Sequence, residues 1–271
     1  MRGHCDQGFQ RRDDVDSRRV RKTKIDFDDV VYGIHVVEEA LASGEELRSV
    51  HVADDRKRDP LLRKIVAQAK ERGINVRFEP RDFFTKLPFK THQGVVALAP
   101  PFQYADLAEV VGRRKHAHAL YVVLDHLTDP HNVGAIVRTA ECAGADAVIL
   151  PERRSAGVNA TVRKAAAGAA AYLPVVRVTN VNEAIRTLKK AGVWVAGAMA
   201  GDGSVPMAQA DFDRDLALVI GAEGTGLAPL VRRECDYLVA IPLLGRTESL
   251  NASVAAGVLL YEAVRQRTKN P

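Results

Sequence analysis

The stretch DPHNVGAIVRTAECAGADAVIL, residues 129–150, sets Asn132 and Arg138 among small and aliphatic neighbours. An arginine in such company is either a tethered surface charge or a tool. Its guanidinium stays protonated, so its chemistry is to fork onto a phosphate or to stabilise an anion as it forms. On this stretch alone a structural explanation stands equally well: Pro130 stiffens the turn, Asn132 can cap the helix that follows it, and Arg138 can pair with Glu141 three residues on. Gly134, one turn before Arg138, leaves that helix start open to a close neighbour.

Two later stretches are chemically unusual in the same way. In LALVIGAEGTGL, Gly221, Gly224 and Gly226 fall within six residues and let backbone groups approach a flat or charged ligand, with Glu223 set among them. A dinucleotide site is the rival, but the order is GxxGxG rather than GxGxxG, and no acidic residue ends a strand at the distance a ribose requires. No Gly-Lys-Ser or Gly-Lys-Thr supports a P-loop. Taken alone, this is a glycine turn. In IPLLGRTESLNASVAAGVLLYEAVRQR, an apolar helix follows Arg246, Thr247, Glu248, Ser249 and Asn251. One helix needs one capping residue, and Ser249, Asn251 and Ser253 exceed that need.

The elements that must position these loops alternate along the chain. The periods predict helices over YGIHVVEEALASG and PLLRKIVAQAKERG, strands at LRSVHVA, INVRFEP and GVVALAP, and a short helix at RDFFTKL. That is a small α/β unit over residues 29–100. Pro100 and Pro101 open a connector over 101–118. Beyond it, ALYVVLD, DAVILP, PVVRVT, VWVAGAM, LALVIGAE and YLVAIP are continuous apolar runs, as strands covered on both faces require. Helices between them imply a mainly parallel sheet over 119–271, whose ligands bind beyond the strands' carboxyl ends.

Composition narrows the class. The chain has 271 residues and a net charge of +5, but residues 1–24 hold eight Lys/Arg against four Asp, while the remainder carries 31 basic against 30 acidic side chains. Any nucleic-acid footprint on the folded body is therefore a local patch, and residues 1–28 read as a flexible basic tail. Cys5, Cys142 and Cys235 are odd in number and widely spaced, which supports neither a disulfide framework nor a metal site. With no long apolar run and a charged beginning, the expected location is the cytoplasm, without membrane or metal.

The three loops, in this order and spacing over residues 119–267, resemble the three motifs of the SpoU (TrmH-like) family of RNA ribose 2'-O-methyltransferases in the SPOUT superfamily. VYGIHVVEEAL, GVVALA and RSAGVNATVRKAAAGAA are similar to the subgroup that methylates a guanosine of 23S rRNA, whose N-terminal unit is an L30e-like RNA-binding domain. The resemblance implies a fold that periodicity cannot: an α/β domain whose C-terminal strand and helix form a trefoil knot, against the general rule that chains do not knot. It implies S-adenosylmethionine as cofactor, held mainly through the main chain at the positions of Gly221, Ile241 and Leu250. It makes Arg138 the residue that meets the nucleotide's phosphate and helps activate the 2'-hydroxyl, supported by Asn132, Glu223, Ser249 and Asn251. Arg153, Arg154, Arg163 and Lys164 are candidates for phosphate contacts outside that pocket, with a solvated charge as the alternative for each. Ala252 stands where the family more often has valine. The implied partners are RNA, as 23S rRNA or an assembling large-subunit particle, and a second copy of the chain. The competing expectations are a tRNA or other rRNA ribose methyltransferase, including an antibiotic-resistance type, an RNA-binding protein without catalysis, and a nicotinamide-dependent oxidoreductase.

Overall fold

The computed structural model describes residues 27–113, 116–201 and 203–268. The basic tail expected over residues 1–28 lies almost wholly outside the described residues; its last two positions, Phe27 and Asp28, begin a short 3-10 turn.

The first unit is built on a four-stranded sheet. Strands β1 (Val30–Tyr32), β2 (Ser49–Ala53), β3 (Asn75–Glu79) and β4 (Val95–Leu98) lie in the order β1-β4-β2-β3, with β2 and β3 parallel and both other pairings antiparallel. Helices α1 (Ile34–Ala42) and α2 (Pro60–Glu71) cover one face, and α3 (Arg81–Thr85) follows β3. Helix α2 shows why these residues fold locally. Asp59 caps it by accepting from the Leu61 N–H at 2.9 Å, Pro60 occupies the first turn, and Leu62, Ile65 and Ala69 form its buried stripe. The helical period over YGIHVVEEALASG places Tyr32 in the helix; β1 instead ends there, because Gly33, at φ 91, turns the chain from strand to helix.

The segment 101–118 is more than a connector, since α4 (Leu107–Val111) forms within it and Asp106 caps that helix. The second unit follows as β5 (Leu120–Leu124), α5 (Pro130–Cys142), β6 (Ala147–Pro151), α6 (Ala160–Ala166), β7 (Val175–Val178), α7 (Val181–Lys190), β8 (Trp194–Ala198), β9 (Ser204–Pro206), β10 (Leu216–Ile220), α8 (Pro229–Glu234), β11 (Tyr237–Ala240) and α9 (Ala252–Thr268). Its seven strands, all parallel, lie in the order β7-β6-β5-β10-β8-β11-β9. The three-residue β9 carries too short a pattern to be read from sequence.

The central strands explain the continuous apolar runs. Leu120, Val122 and Leu124 of β5 pack with α5, α6 and α9 on one face, whereas Tyr121 and Val123 pack with α4, α7 and α8 on the other. Leu259 and Leu260 of α9 are fully buried in the first of these layers, each contributing roughly 1.5–3 kcal/mol of apolar burial. The far end of α9 is tied by Arg267, whose half-buried guanidinium donates to the carbonyls of Phe212 (3.0 Å), His118 (3.2 Å), Ala119 (3.0 Å) and Arg214 (2.7 Å). From β5 the chain runs outward through β6 and β7, while β8, β9 and β11 lie on the opposite side of β10. The direction of winding therefore reverses between β5 and β10, and the loops at their carboxyl ends open onto the crevice where such sheets bind ligands.

Candidate active site at the switch between β5 and β10

Asp125, fully buried at the end of β5, ties the two crevice loops together. One carboxylate oxygen accepts from the Ala228 N–H at 2.7 Å and the other is bonded to His126, which takes a positive φ of 61. Neither residue stands out by motif or spacing. The signal that could have found them is an acid closing an apolar strand at the carboxyl edge of the sheet, where burial requires a partner.

The cap of α5 is Asp129, accepting from the His131 N–H at 2.9 Å, so Asn132 is not the cap. Asn132 sits inside the first turn, 8% exposed, and its side chain is committed across the crevice. Its Nδ2 donates to Glu223 Oε1 at 2.8 Å, and its Oδ1 accepts from Asn251 Nδ2 at 2.9 Å. Asn251 Nδ2 also donates to Glu223 Oε1 at 2.5 Å, and the Ala252 N–H lies 3.3 Å from the same oxygen. Asn251 performs a second task as the cap of α9: its Oδ1 accepts from the Ser253 N–H at 3.0 Å and from Ser253 Oγ at 2.6 Å. One triangle of side chains thus joins three segments that lie far apart in the sequence.

The glycine turn needs its glycines. Residues Ala222 and Gly226 exchange two backbone hydrogen bonds, of 3.1 and 2.9 Å, and Gly224 and Gly226 take φ of 79 and 65. The fold-back brings Gly226 so close that a Cβ on Gly221 would lie 2.4 Å from its carbonyl carbon and oxygen. Gly134 has a different purpose: a Cβ there would lie 2.5 Å from the Ala165 Cβ, so its open face admits α6 rather than a ligand.

Beside the triangle lies a cavity of about 390 Å³, within the range of small-molecule sites. Its walls are the ends of β8 and β10, the 221–226 turn, Ile241, and the 248–250 segment with Ser249. Gly221, Ile241 and Leu250, the three expected cofactor positions, all line it, as do Glu223 and Ser249. Met199 and Ala200 also line it and escape a reading of the sequence, because Met199 closes the apolar run VWVAGAM, Ala200 directly follows it, and neither carries a polar group to mark it. A largely apolar cavity with a backbone-lined turn suits a bent nucleoside carrying a sulfonium, held through main-chain groups.

Arg138 is not on this wall. It is exposed, on the stripe of α5 shared with His131, Ala135 and Cys142, six residues and about 9 Å of helix rise beyond Asn132. Among the described residues no hydrogen bond or ion pair engages it, so the alternative pairing with Glu141 is not made. Arg163 is neither solvated nor available to phosphate: it is 6% exposed, ion-paired with Glu45 and stacked over Phe102. Arg153 and Arg154 are exposed, and Lys164 lies away from the cavity, against Tyr32 and Gln93. Among the described residues no group of three or more His, Cys, Asp or Glu could hold a metal, and no helix is long and apolar enough to cross a membrane.

A parallel sheet with a backbone-lined cavity at its switch point and a polar joint made by distant loops defines an α/β protein with a small-molecule site at the crevice, and comparison identifies its family. Residues 119–261 match the model of the SpoU rRNA Methylase family, and residues 30–105 match that of the RNA 2'-O ribose methyltransferase substrate binding domain. The chain is 41% identical to a putative TrmH family tRNA/rRNA methyltransferase of Staphylococcus haemolyticus, over 89% of this chain and 96% of that one. The SpoU methyltransferase AviRb from Streptomyces viridochromogenes superposes with a TM-score of 0.76 at 27% identity, covering 90% of this chain and 91% of that one. An AdoMet-bound rRNA methyltransferase from Sinorhizobium meliloti gives 0.73 at 29%, covering 87% and 86%. The chain belongs to the SpoU family. It is an RNA methyltransferase that uses S-adenosylmethionine, which sets aside the nicotinamide-dependent and non-catalytic alternatives.

Proposed function

We propose that this protein transfers a methyl group to the ribose 2'-hydroxyl of a guanosine in 23S rRNA, on naked RNA or an assembling large-subunit particle, in the cytoplasm and as a homodimer. The observation that carries the ribose reading is the match of residues 30–105 to the RNA 2'-O ribose methyltransferase substrate binding domain, and the Asn132–Glu223–Asn251 joint supports it by bringing the three motif segments together beside the cavity. The domain match over residues 30–105 supports an RNA-recognition role for the unit at 29–100, joined through 101–118 to the methyltransferase domain at 119–271.

When bound, S-adenosylmethionine supplies a methyl group on a sulfonium. Gly221, Ile241 and Leu250 would hold it, with Ser249 at the same wall. A sugar hydroxyl is a poor nucleophile, and Arg138 is suited to fork onto the target nucleotide's phosphate and to stabilise negative charge as the 2'-oxygen loses its proton. Glu223 holds the loops rather than accepting that proton, because its Oε1 already receives three donors and an ordinary carboxylate is far less basic than an alkoxide.

Arg138 needs an incoming nucleotide, or a second copy, to meet the cavity. The dimer is supported by Val254, Val258 and Tyr261, an apolar stripe on α9 at helical spacing, with Val254 50% and Tyr261 52% exposed. Leu244, 99% exposed, and Leu250, 38% exposed at the cavity wall, are further apolar side chains open to a partner. The same reading takes the chain after β11 to be threaded as the family's trefoil knot.

The test is transfer of labelled methyl from S-adenosylmethionine to transcripts of 23S rRNA, 16S rRNA and tRNA. The expected product is an alkali-resistant dinucleotide carrying a 2'-O-methylguanosine from the 23S transcript. Label on tRNA alone, or on a base, overturns the proposal.

A further inference from the structure

A second cleft, of about 720 Å³, opens where the loop 90–94 of the first unit meets α6 of the second. Its walls carry Arg56, Arg81, Lys90 and Lys164 against the single carboxylate of Asp55. Arg56 is spoken for, donating to Asp59 and to the Gln93 carbonyl at 2.5 Å. Arg81 and Lys90 are exposed, and among the described residues neither makes a hydrogen bond or ion pair.

Lys164 is the most informative of the four. Its ammonium lies over Gly33, where an added Cβ would stand 2.1 Å from Nζ, and 5.6 Å from the centroid of the Tyr32 ring. It has three donors, yet the one hydrogen bond it makes among the described residues is long, 3.4 Å to Gln93 Oε1. No carboxylate among them answers it. The neighbouring Arg163, on the same helix and also turned toward the first unit, has Glu45. Lys164 is half-buried, and a partly desolvated cation without a counter-charge is favoured by an incoming anion. Burial accordingly lowers the pKa of Lys164.

The loop facing it is held in a conformation that side chains rarely adopt. Gln93 sits at φ 55, and its Oε1, accepting from the Ile34 N–H at 3.1 Å, is fixed in front of the lysine. Strain of this kind persists where the surroundings over-determine it. Tyr32 and Phe84, the aromatic rings beside the cleft, are buried and present no stacking face for a base. Beside Thr91, Gln93 and the half-buried His92, the charged groups open to a ligand are three cations against Asp55, an excess that suits phosphate groups and positions a strand without reading it.

We propose that this cleft is a seat for the RNA backbone, in which Arg81, Lys90 and Lys164 take phosphate groups, so that one strand of substrate bridges the two units of the chain. The inference rests on the RNA-methylating reading above. The seat lies one helix from the reaction centre, because α6 packs against α5 at Gly134, one turn from Arg138. A phosphate held at Lys164 would help fix the register of the strand that Arg138 must meet.

The test is filter binding of the full chain to a 23S rRNA transcript over a series of salt concentrations, with cofactor affinity measured in parallel by calorimetry. The variants are Arg81→Gln/Lys90→Gln together, Lys164→Gln, and Lys70→Gln at the far end of α2 as a charge control. The double variant is expected to bind RNA about tenfold more weakly at low salt and to lower the slope of log K against log salt by roughly 1.5, near 0.7–0.9 for each phosphate no longer neutralised. Lys164→Gln should lower the slope by a little under one, and Lys70→Gln should change neither slope nor cofactor affinity. Wild-type slopes in both cleft variants, with the wild-type protein binding and methylating the transcript, overturn the seat and leave the function standing. Lowered slopes with no methylation by the wild type keep the seat and sink the choice of substrate. Absence of wild-type binding sinks both.

Discussion

Replacing Glu223 by glutamine, and separately by alanine, distinguishes a brace from a proton acceptor. In the structure Glu223 Oε1 receives Asn132 Nδ2 at 2.8 Å, Asn251 Nδ2 at 2.5 Å and the Ala252 N–H at 3.3 Å. Glutamine keeps the oxygen and the shape but not the charge. A hydrogen bond to a charged group contributes about 1.5–3 kcal/mol and a neutral one about 0.5–1.5, so two short bonds weakened in this way would lose about 2–3 kcal/mol if buried, and about 1–2 kcal/mol once solvent screening of the exposed Glu223 is allowed for. Alanine removes both bonds and leaves the amide of Asn132, 8% exposed, without its acceptor, for a total of about 2–4 kcal/mol. Urea denaturation should therefore rank wild type, glutamine and alanine in that order, with glutamine near half the loss of alanine. If the side chain only braces the loops, methyl transfer by the glutamine variant at saturating cofactor stays within about tenfold of wild type. A general base would instead cost roughly 10²–10⁴-fold on the same substitution. A large rate loss with the expected melting would refute the bracing role, and wild-type stability in both variants would refute the joint itself.

Arg138→Ala should abolish methyl transfer with cofactor affinity retained, and Arg138→Lys should rescue it poorly, since an ammonium cannot fork onto a phosphate. Loss of cofactor binding with normal turnover of the loaded enzyme would remove Arg138 from the chemistry. Gly221→Ala should raise the cofactor Kd by at least a hundredfold, because the new methyl would stand 2.4 Å from the Gly226 carbonyl and the turn must open; unchanged calorimetry would show that the turn is not the cradle. Val254→Glu/Tyr261→Glu should shift the sedimentation of the chain from dimer to monomer, and an unaltered dimer places the interface elsewhere. Burial lowers the pKa of Lys164, so between that lowered value and the ordinary 10.5 the unfolded chain binds more protons and stability rises with pH. Lys164→Gln should reduce that alkaline rise in urea titrations, and an identical pH profile would show the ammonium to be well solvated.

Much of the molecule is legible in the sequence because it follows local rules. Continuous apolar runs such as LYVVL and LALVI imply strands covered on both faces, and β5 and β10 are the centre of the parallel sheet. The glycines of GAEGTG are legible as a turn, and the surplus of polar residues before α9 as more than a cap. Other features depend on what comes to lie opposite. Asn132 reads as a cap, but Asp129 takes that position and Glu223 and Asn251 claim the amide. Arg163 and Lys164, adjacent and indistinguishable in sequence, are separated by one carboxylate on another unit, Glu45, which neutralises the first and not the second.

By itself the sequence determined most of the elements and their order, the class of sheet, and the loops that could carry chemistry, because helix periods, apolar runs, caps and glycines act over a few residues, whereas the short α4 and β9 carried no such pattern. Only the tertiary structure decided which loops meet. Placing β10 beside β5 puts residues 132, 223 and 251 within hydrogen-bonding distance, and docking the first unit on α6 leaves a lysine over Gly33 with no carboxylate to answer it among the described residues. The physical reason is that a hydrogen bond or an unanswered charge belongs to a pair of groups in space. The chain between them carries no local mark of the distance that folding will leave.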